Sequence, residues 1–218
     1  MLSDHLHRIA VVDQAAPRAA VFEILDEMEA SYTIHRETVP IREAQNMVVS
    51  FHEETTSRLV IGAHYDSVPG STGANDNAAG VCVLLALLRR FLDTPPTGRY
   101  LIFVMEEQGF RGSRAYLQRG DPKRVRAFIN LDVCGVGDTL TIAPGRHTSR
   151  GPLCAPIRQV EQSGRHNMRI IKDLPANDTW SFEQESVPNI TACIMPDDDV
   201  GLVRRLISDP SWNPWTTC

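Results

Sequence analysis

The sequence predicts an α/β fold built on a largely parallel sheet. Short apolar, β-branched runs alternate with helical stretches along the chain, and no internal repeat or long linker interrupts them. Acidic residues and a histidine recur at the ends of those apolar runs. Strands alternating with helices belong to layered α/β architectures, and sites in such sheets form at the carboxyl ends of the strands.

In chain order, Pro17 to Ala30 places Ala20, Val21, Ile24, Leu25 and Met28 on one helical stripe. A polar extended stretch leads to a strand at Met47–Phe51. Arg58 to Tyr65 reads as a buried strand, because its apolar residues run continuously rather than alternating. Asp76 to Phe91 is apolar on nearly every face, as in a helix packed on a sheet and covered from outside, with Asp76 as its N-cap. Tyr100 to Met105 is the next strand and Ser113 to Arg119 a short helix. Arg126–Val133, Thr139–Ala143, Met168–Ile171 and Asn189–Met195 read as strands, Pro152–Gln162 and Gly201–Ile207 as helices.

The chain has 218 residues, 42% hydrophobic and 22% charged, enough for one domain over 1–218 with its own core. Its net charge of −5 argues against a nucleic-acid binder. The longest apolar run, Val81 to Leu88, is far too short to span a bilayer, so no membrane partner is expected. The five scattered cysteines form no C-x-x-C pair and read as reduced thiols, and the N-terminus lacks a signal-peptide pattern. These features predict a cytoplasmic protein.

The informative residues are His64 and Asp66 at the end of one apolar strand, Asp76 after the following Gly/Ser-rich loop, Glu106 and Glu107 at the end of the next strand, and Asp132 at the end of another. Carboxylates are rare in buried strands, because an unpaired buried charge is expensive. Four or more acids and a histidine brought to one sheet edge repel unless cations sit among them. One imidazole with several carboxylates suits zinc, manganese or cobalt. Asp76 is placed to bridge two ions. Residues two apart in a strand share a face, so Asp66 can orient His64. Glu106 and Glu107 point to opposite sides, which lets one bind metal while the other faces the water to be activated. Asp197 to Asp199 reads as a solvated loop, and the three tryptophans as pocket or packing residues.

The stretches I-G-A-H-Y-D-S-V-P-G-S-T-G-A-N-D-N-A-A-G, F-V-M-E-E-Q-G-F-R-G-S-R-A-Y and I-N-L-D-V-C-G closely resemble the two-zinc aminopeptidase family. That family includes bacterial leucyl aminopeptidases, glutamate carboxypeptidase and glutaminyl cyclases. The match runs from about Arg58 to Gly135. Positions 177–190, N-D-T-W-S-F-E-Q-E-S-V-P-N-I, are similar to its S-D-H-x-x-F-x-x-x-G-x-P-A segment, with Thr179 in place of His.

The resemblance implies a three-layer sandwich around a mixed, mainly parallel sheet of about eight strands. It implies that His64 and Asp132 hold one Zn2+, Glu107 the other, that Asp76 bridges them, and that Asp66 orients His64 while Glu106 is the general base. The family completes its second zinc with a later His. Here no His follows His166, and the chain ends S-W-N-P-W-T-T-C. The expectation is therefore one firm zinc and one weak one, with His147 the only candidate substitute and the chain stopping short of the missing ligand. The implied function is a metallo-aminopeptidase acting on peptide or aminoacyl substrates. Its rivals are a cyclase, carboxypeptidase or deacylase on the same scaffold, or a non-catalytic interaction domain.

Overall fold

The computed structural model describes residues 2–13, 15–39, 42–51, 57–97, 100–105, 110–148, 151–171 and 174–198. Two helices, α1 (Leu2–Ile9) and α2 (Ala16–Glu27), precede the hairpin β1 (Thr33–Val39) and β2 (Arg42–Ser50). The chain continues as β3 (Arg58–His64), a wide helical turn over Ala74–Ala78, α3 (Ala79–Asp93), β4 (Tyr100–Met105), α4 (Arg111–Arg119) and β5 (Val125–Leu131). It closes with β6 (Thr139–Pro144), α5 (Cys154–Gln162), β7 (Met168–Ile170), α6 (Thr179–Gln184) and β8 (Asn189–Met195). The predicted helix over Gly201–Ile207 lies outside the described residues.

All the strands join one mixed sheet in the order β1-β2-β4-β3-β5-β8-β6-β7. Its centre, β4-β3-β5-β8, is parallel, while β1, β2 and β6 bring antiparallel pairings. Successive side chains of a strand face opposite ways, and this sheet buries both faces. Ile61 and Ala63 of β3 pack with Met47, Val49, α2 and α3 on one side. Val60 joins Val48 and Phe128 under α4 and α6 on the other, where Phe128 stacks on Phe182 at 3.8 Å. Helices thus cover both faces.

Several expectations need correction. Helix α1 was not foreseen: its sequence is mostly polar, yet Leu6 and Ile9 dock into the α2–α3 core. The polar extended stretch before Met47 belongs to a hairpin at the sheet edge, a pairing the sequence did not show. Helix α3 starts at Ala79, three residues after Asp76, and carries no side-chain cap, so Asp76 is not its N-cap. Nor is α3 covered all round, since Val83 is exposed. The four described cysteines are free, with Cys82 and Cys193 buried.

Candidate metal centre

Strand β3 is apolar to its last residue, and its parallel pairing carries His64 to the carboxyl edge opposite Met105, the last residue of β4. Beside it, β5 ends at Leu131, and Asp132 follows, its N–H donating to Ala192 O of β8 at 3.1 Å. The turn over Ala74–Ala78 brings in the third residue. Asn77 Nδ2 donates to Leu131 O at 2.8 Å and its Oδ1 accepts from Val133 N at 3.2 Å. Asn75 Oδ1 accepts from Gly135 N at 2.8 Å. The two asparagines of N-D-N thus clamp the turn to the end of β5 and hold Asp76 between them. Gly80 permits this approach, because a Cβ there would collide with the Asn77 amide and lie 2.7 Å from Leu131 O.

The ligand atoms of His64, Asp76 and Asp132 lie within 4.8 Å of one another. His64 Nε2 is 3.2 Å from Asp76 Oδ1 and 3.6 Å from Asp132 Oδ1. On the other side of the ring, Nδ1 lies 3.2 Å from Asp66 O and 3.4 Å from Asp66 Oδ1. A neutral imidazole that donates Nδ1–H to Asp66 turns a bare Nε2 lone pair toward two carboxylate oxygens. Three acceptors facing each other need a cation in common. Asp132 Oδ1 is moreover buried with no hydrogen-bond partner. The set therefore fits a metal ion, with one imidazole and two carboxylates as donors. When His64 is instead protonated it donates to Asp76 and holds that carboxyl below the usual carboxylate range. Burial pushes the Cys134 and Cys193 thiols up to about 12, and neither sulfur is part of the cluster.

Of the residues expected at the site, the structure brings together His64, Asp66, Asp76 and Asp132. Glu106 and Glu107 lie outside the described residues. His147 is exposed on the turn after β6 and is not part of the cluster. Asp197 is tied to the β7 side of the fold, 3.3 Å from Arg169, while Asp199 lies outside the described residues, as do Trp212 and Trp215.

The sequence reading assigned no role to Asn177 or Asp178. Asn177 Oδ1 accepts from Asn130 Nδ2 at 3.4 Å, Thr179 Oγ1 at 2.8 Å and Thr191 Oγ1 at 3.1 Å, knotting the loop before α6 to β5 and β8. Asp178 is 1% exposed, and neither carboxylate oxygen has a hydrogen-bond partner. Burial pushes its pKa up to about 6, against the pull of nearby His64. Its only sequence signal was the match of N-D-T-W-S-F to a family segment.

A cavity of about 290 Å3 opens beside the cluster, lined by His64, Asp76, Asp132, Val133, Leu174 and Met195 among others. A cleft with convergent acids at the carboxyl edge of a layered α/β sheet fits a metallohydrolase-like domain.

The family model for peptidase family M28 matches residues 46–205, and the chain belongs to that family. The "Vacuolar membrane protease" of Vanderwaltozyma polyspora is 33% identical over 146 residues, covering 65% of this chain. The match spans only 15% of that relative's length. Among solved structures, a Porphyromonas gingivalis glutaminyl cyclase superposes with a TM-score of 0.69 at 19% identity, covering 91% of this chain and 84% of that one. BSAP, a zinc aminopeptidase from Bacillus subtilis, gives 0.63 at 22% identity, covering 74% of this chain and 43% of that one. Both likenesses concern the fold.

The expectation of a cytoplasmic protein is overturned by the curated relatives, several of which are named as vacuolar membrane proteases. Free thiols describe the chemistry of this stretch and do not fix its compartment. No helix among the described residues is long and apolar enough to cross a membrane. That fact says nothing about association with one.

Proposed function

We propose that this chain is a zinc-dependent exopeptidase domain that removes N-terminal residues from peptides. The observation that carries the proposal is the meeting of His64 Nε2 with the Asp76 and Asp132 oxygens at the mouth of a cavity sized for one side chain. His64 and Asp132 would hold one zinc, Asp76 would be shared with a second, and Glu107 would belong to the second. When bound, zinc supplies Lewis acidity and lowers the pKa of water to ~7.

The chain's own residues have separable tasks. Asp66 fixes the His64 ring so that Nε2 faces the cluster. Glu106, directly after the Met105 that pairs with His64, acts as general base. It carries a proton from the attacking water to the leaving amine. Val133, Leu174 and Met195 give the cavity an apolar wall that suits an apolar N-terminal side chain. The free α-amine fits near the acids, which favours exopeptidase over endopeptidase action.

The fold likeness to a glutaminyl cyclase over 84% of that chain makes cyclisation of N-terminal glutamine the second reading. Zinc-loaded protein assayed on leucyl anilide, on its N-acetylated form and on a glutaminyl peptide separates them. Hydrolysis of the free-amine anilide alone is expected. Ammonia release from the glutaminyl peptide without anilide hydrolysis would replace the aminopeptidase reading with the cyclase one.

A further inference from the structure

A second cavity, of about 420 Å3, lies between the turn that ends β6 and helix α6. It shares a wall with the metal-site cavity, formed by Leu174–Asn177 and Thr191. That wall is fixed from within by the Asn177 hydrogen bonds and by Asn177 Nδ2 donating to Pro175 O at 3.0 Å. A substrate held at the metal site and extending over this wall reaches the second cavity.

Glu183 and Trp180 decide the chemistry there. They stand three residues apart on α6 and so share a face of the helix. The Glu183 side chain is 16% exposed, and its Oε1 accepts from Arg146 N at 2.8 Å and Asn189 Nδ2 at 3.1 Å. Gly145 makes room for that carboxylate, since a Cβ at 145 would collide with the same oxygen. Among the described residues the other oxygen, Oε2, meets only Arg146 Nε at 3.9 Å, too long for a hydrogen bond, on a side chain 92% exposed. One carboxylate oxygen is thus held in place at the cavity and left open to a donor. Alongside it, Trp180 lines the same cavity and is 37% exposed. The guanidinium of Arg114 already lies 5.5 Å from the indole centroid, a placement in which a ring attracts a cation.

We propose that this second cavity receives the side chain of the residue following the scissile bond and selects Lys or Arg there. Glu183 is the ion-pair partner, Trp180 the wall, and Arg146 the internal cation that gives way to the substrate. The proposal rests on the aminopeptidase reading above and names its preferred substrates.

The test uses the full chain loaded with zinc and compares kcat/KM for Leu-Lys-Ala, Leu-Ala-Ala and Leu-Glu-Ala, with leucyl anilide as the reference for basal chemistry. Lys is expected to exceed Ala by about tenfold, the effect of one favourable charge contact, with Glu lowest. The advantage should shrink as salt is raised. In Glu183→Gln the Lys-to-Ala ratio is expected to fall toward one, a ratio that does not depend on how much active protein is recovered. Equal rates on the three tripeptides in the unaltered protein, or a Lys advantage that survives Glu183→Gln, would overturn the proposal. If no substrate is cleaved, anilide included, the aminopeptidase reading fails. The cavity is then judged by calorimetric titration with Leu-Lys-amide and Leu-Ala-amide, where equal affinities overturn it and a Lys preference lost in Glu183→Gln upholds it.

Discussion

Two groups of acids at the same end of the fold resolve the problem of buried charge in opposite ways. At the ends of β3 and β5, His64, Asp76 and Asp132 converge until their ligand atoms lie within 4.8 Å. At the start of α6, Asp178 is buried outside that cluster, and the Ser113 hydroxyl and the His64 ring only partly offset its burial. A cluster of acceptors is relieved by a shared cation, because one divalent ion compensates several partial or full negative charges. An acid buried outside the cluster holds its proton to higher pH instead, which is the direction burial gives Asp178. Convergence therefore argues for a metal, and burial apart from it for a proton.

The largest effect expected from that contrast is the loss of the metal centre. His64→Ala should release bound zinc and lower kcat/KM for the anilide by ~10³-fold or more, since a catalytic metal supplies several kcal/mol to the transition state. Elemental analysis after dialysis and the anilide assay measure the two losses together. Full zinc content in the variant would remove His64 from the ligand set.

Glu106→Gln should behave differently. A general base acts on a proton without binding the ion, so kcat is expected to fall by ~10²–10⁴ while zinc content stays near that of the unaltered protein. Loss of zinc in this variant would mean that the roles of Glu106 and Glu107 are exchanged. Asp66→Ala gives a smaller effect, because it removes only the carboxylate that orients the ring. Zinc affinity should drop by ~10–100-fold, read by competition with a chelating dye. An unchanged affinity would show that Asp66 O alone fixes the His64 ring.

The same contrast explains what the sequence made legible. Ionisable residues at the ends of apolar strands stand out because burial normally excludes them, so His64, Asp66, Asp76 and Asp132 were visible without coordinates. Within the N-D-N triplet the task of Asp76 was recognised. The task of its asparagines was not, because their partners, Leu131, Val133 and Gly135, lie more than fifty residues away. Asp178 was hidden for a similar reason: nothing in N-D-T-W-S-F says that the aspartate turns inward instead of capping α6. Helix α6 itself is six residues long, and only Ser181 and Phe182 are buried, too few to draw a helical stripe. The central strands were legible because both faces are covered and their apolar runs are continuous. Edge strand β1, T-I-H-R-E-T-V, has no such run, although His35 stacks on Tyr116 of α4 with ring centroids 6.3 Å apart.

The smallest expected effect isolates the lone acid. The folded-state pKa of Asp178 is about 6, against 3.8 for the free group. Between those values the folded chain binds more protons than the unfolded one, so this group favours folding increasingly as pH falls from 6 toward 4. Above pH 6 the carboxylate is ionised in an environment that disfavours it, and the fold bears that cost. Asp178→Asn removes the charge, and at pH 7.5 it should raise the stability of the metal-free protein by ~1–3 kcal/mol. The gain should shrink as pH drops through 6, stand at about a third of its full value at pH 4.5, and vanish only below 3.8, where the unfolded chain is protonated as well. Asp76, held low by His64, loses stabilisation in acid. That loss is common to both proteins and cancels in the comparison. Zinc should also reduce the gain, because a cation in the neighbouring cluster favours the ionised form of Asp178. Urea midpoints for the two proteins at pH 7.5 and 4.5, with and without zinc, make the measurement. A variant less stable at pH 7.5, or an equal gain at both pH values, would mean that Asp178 is ionised at no cost and that a donor reaches it in solution.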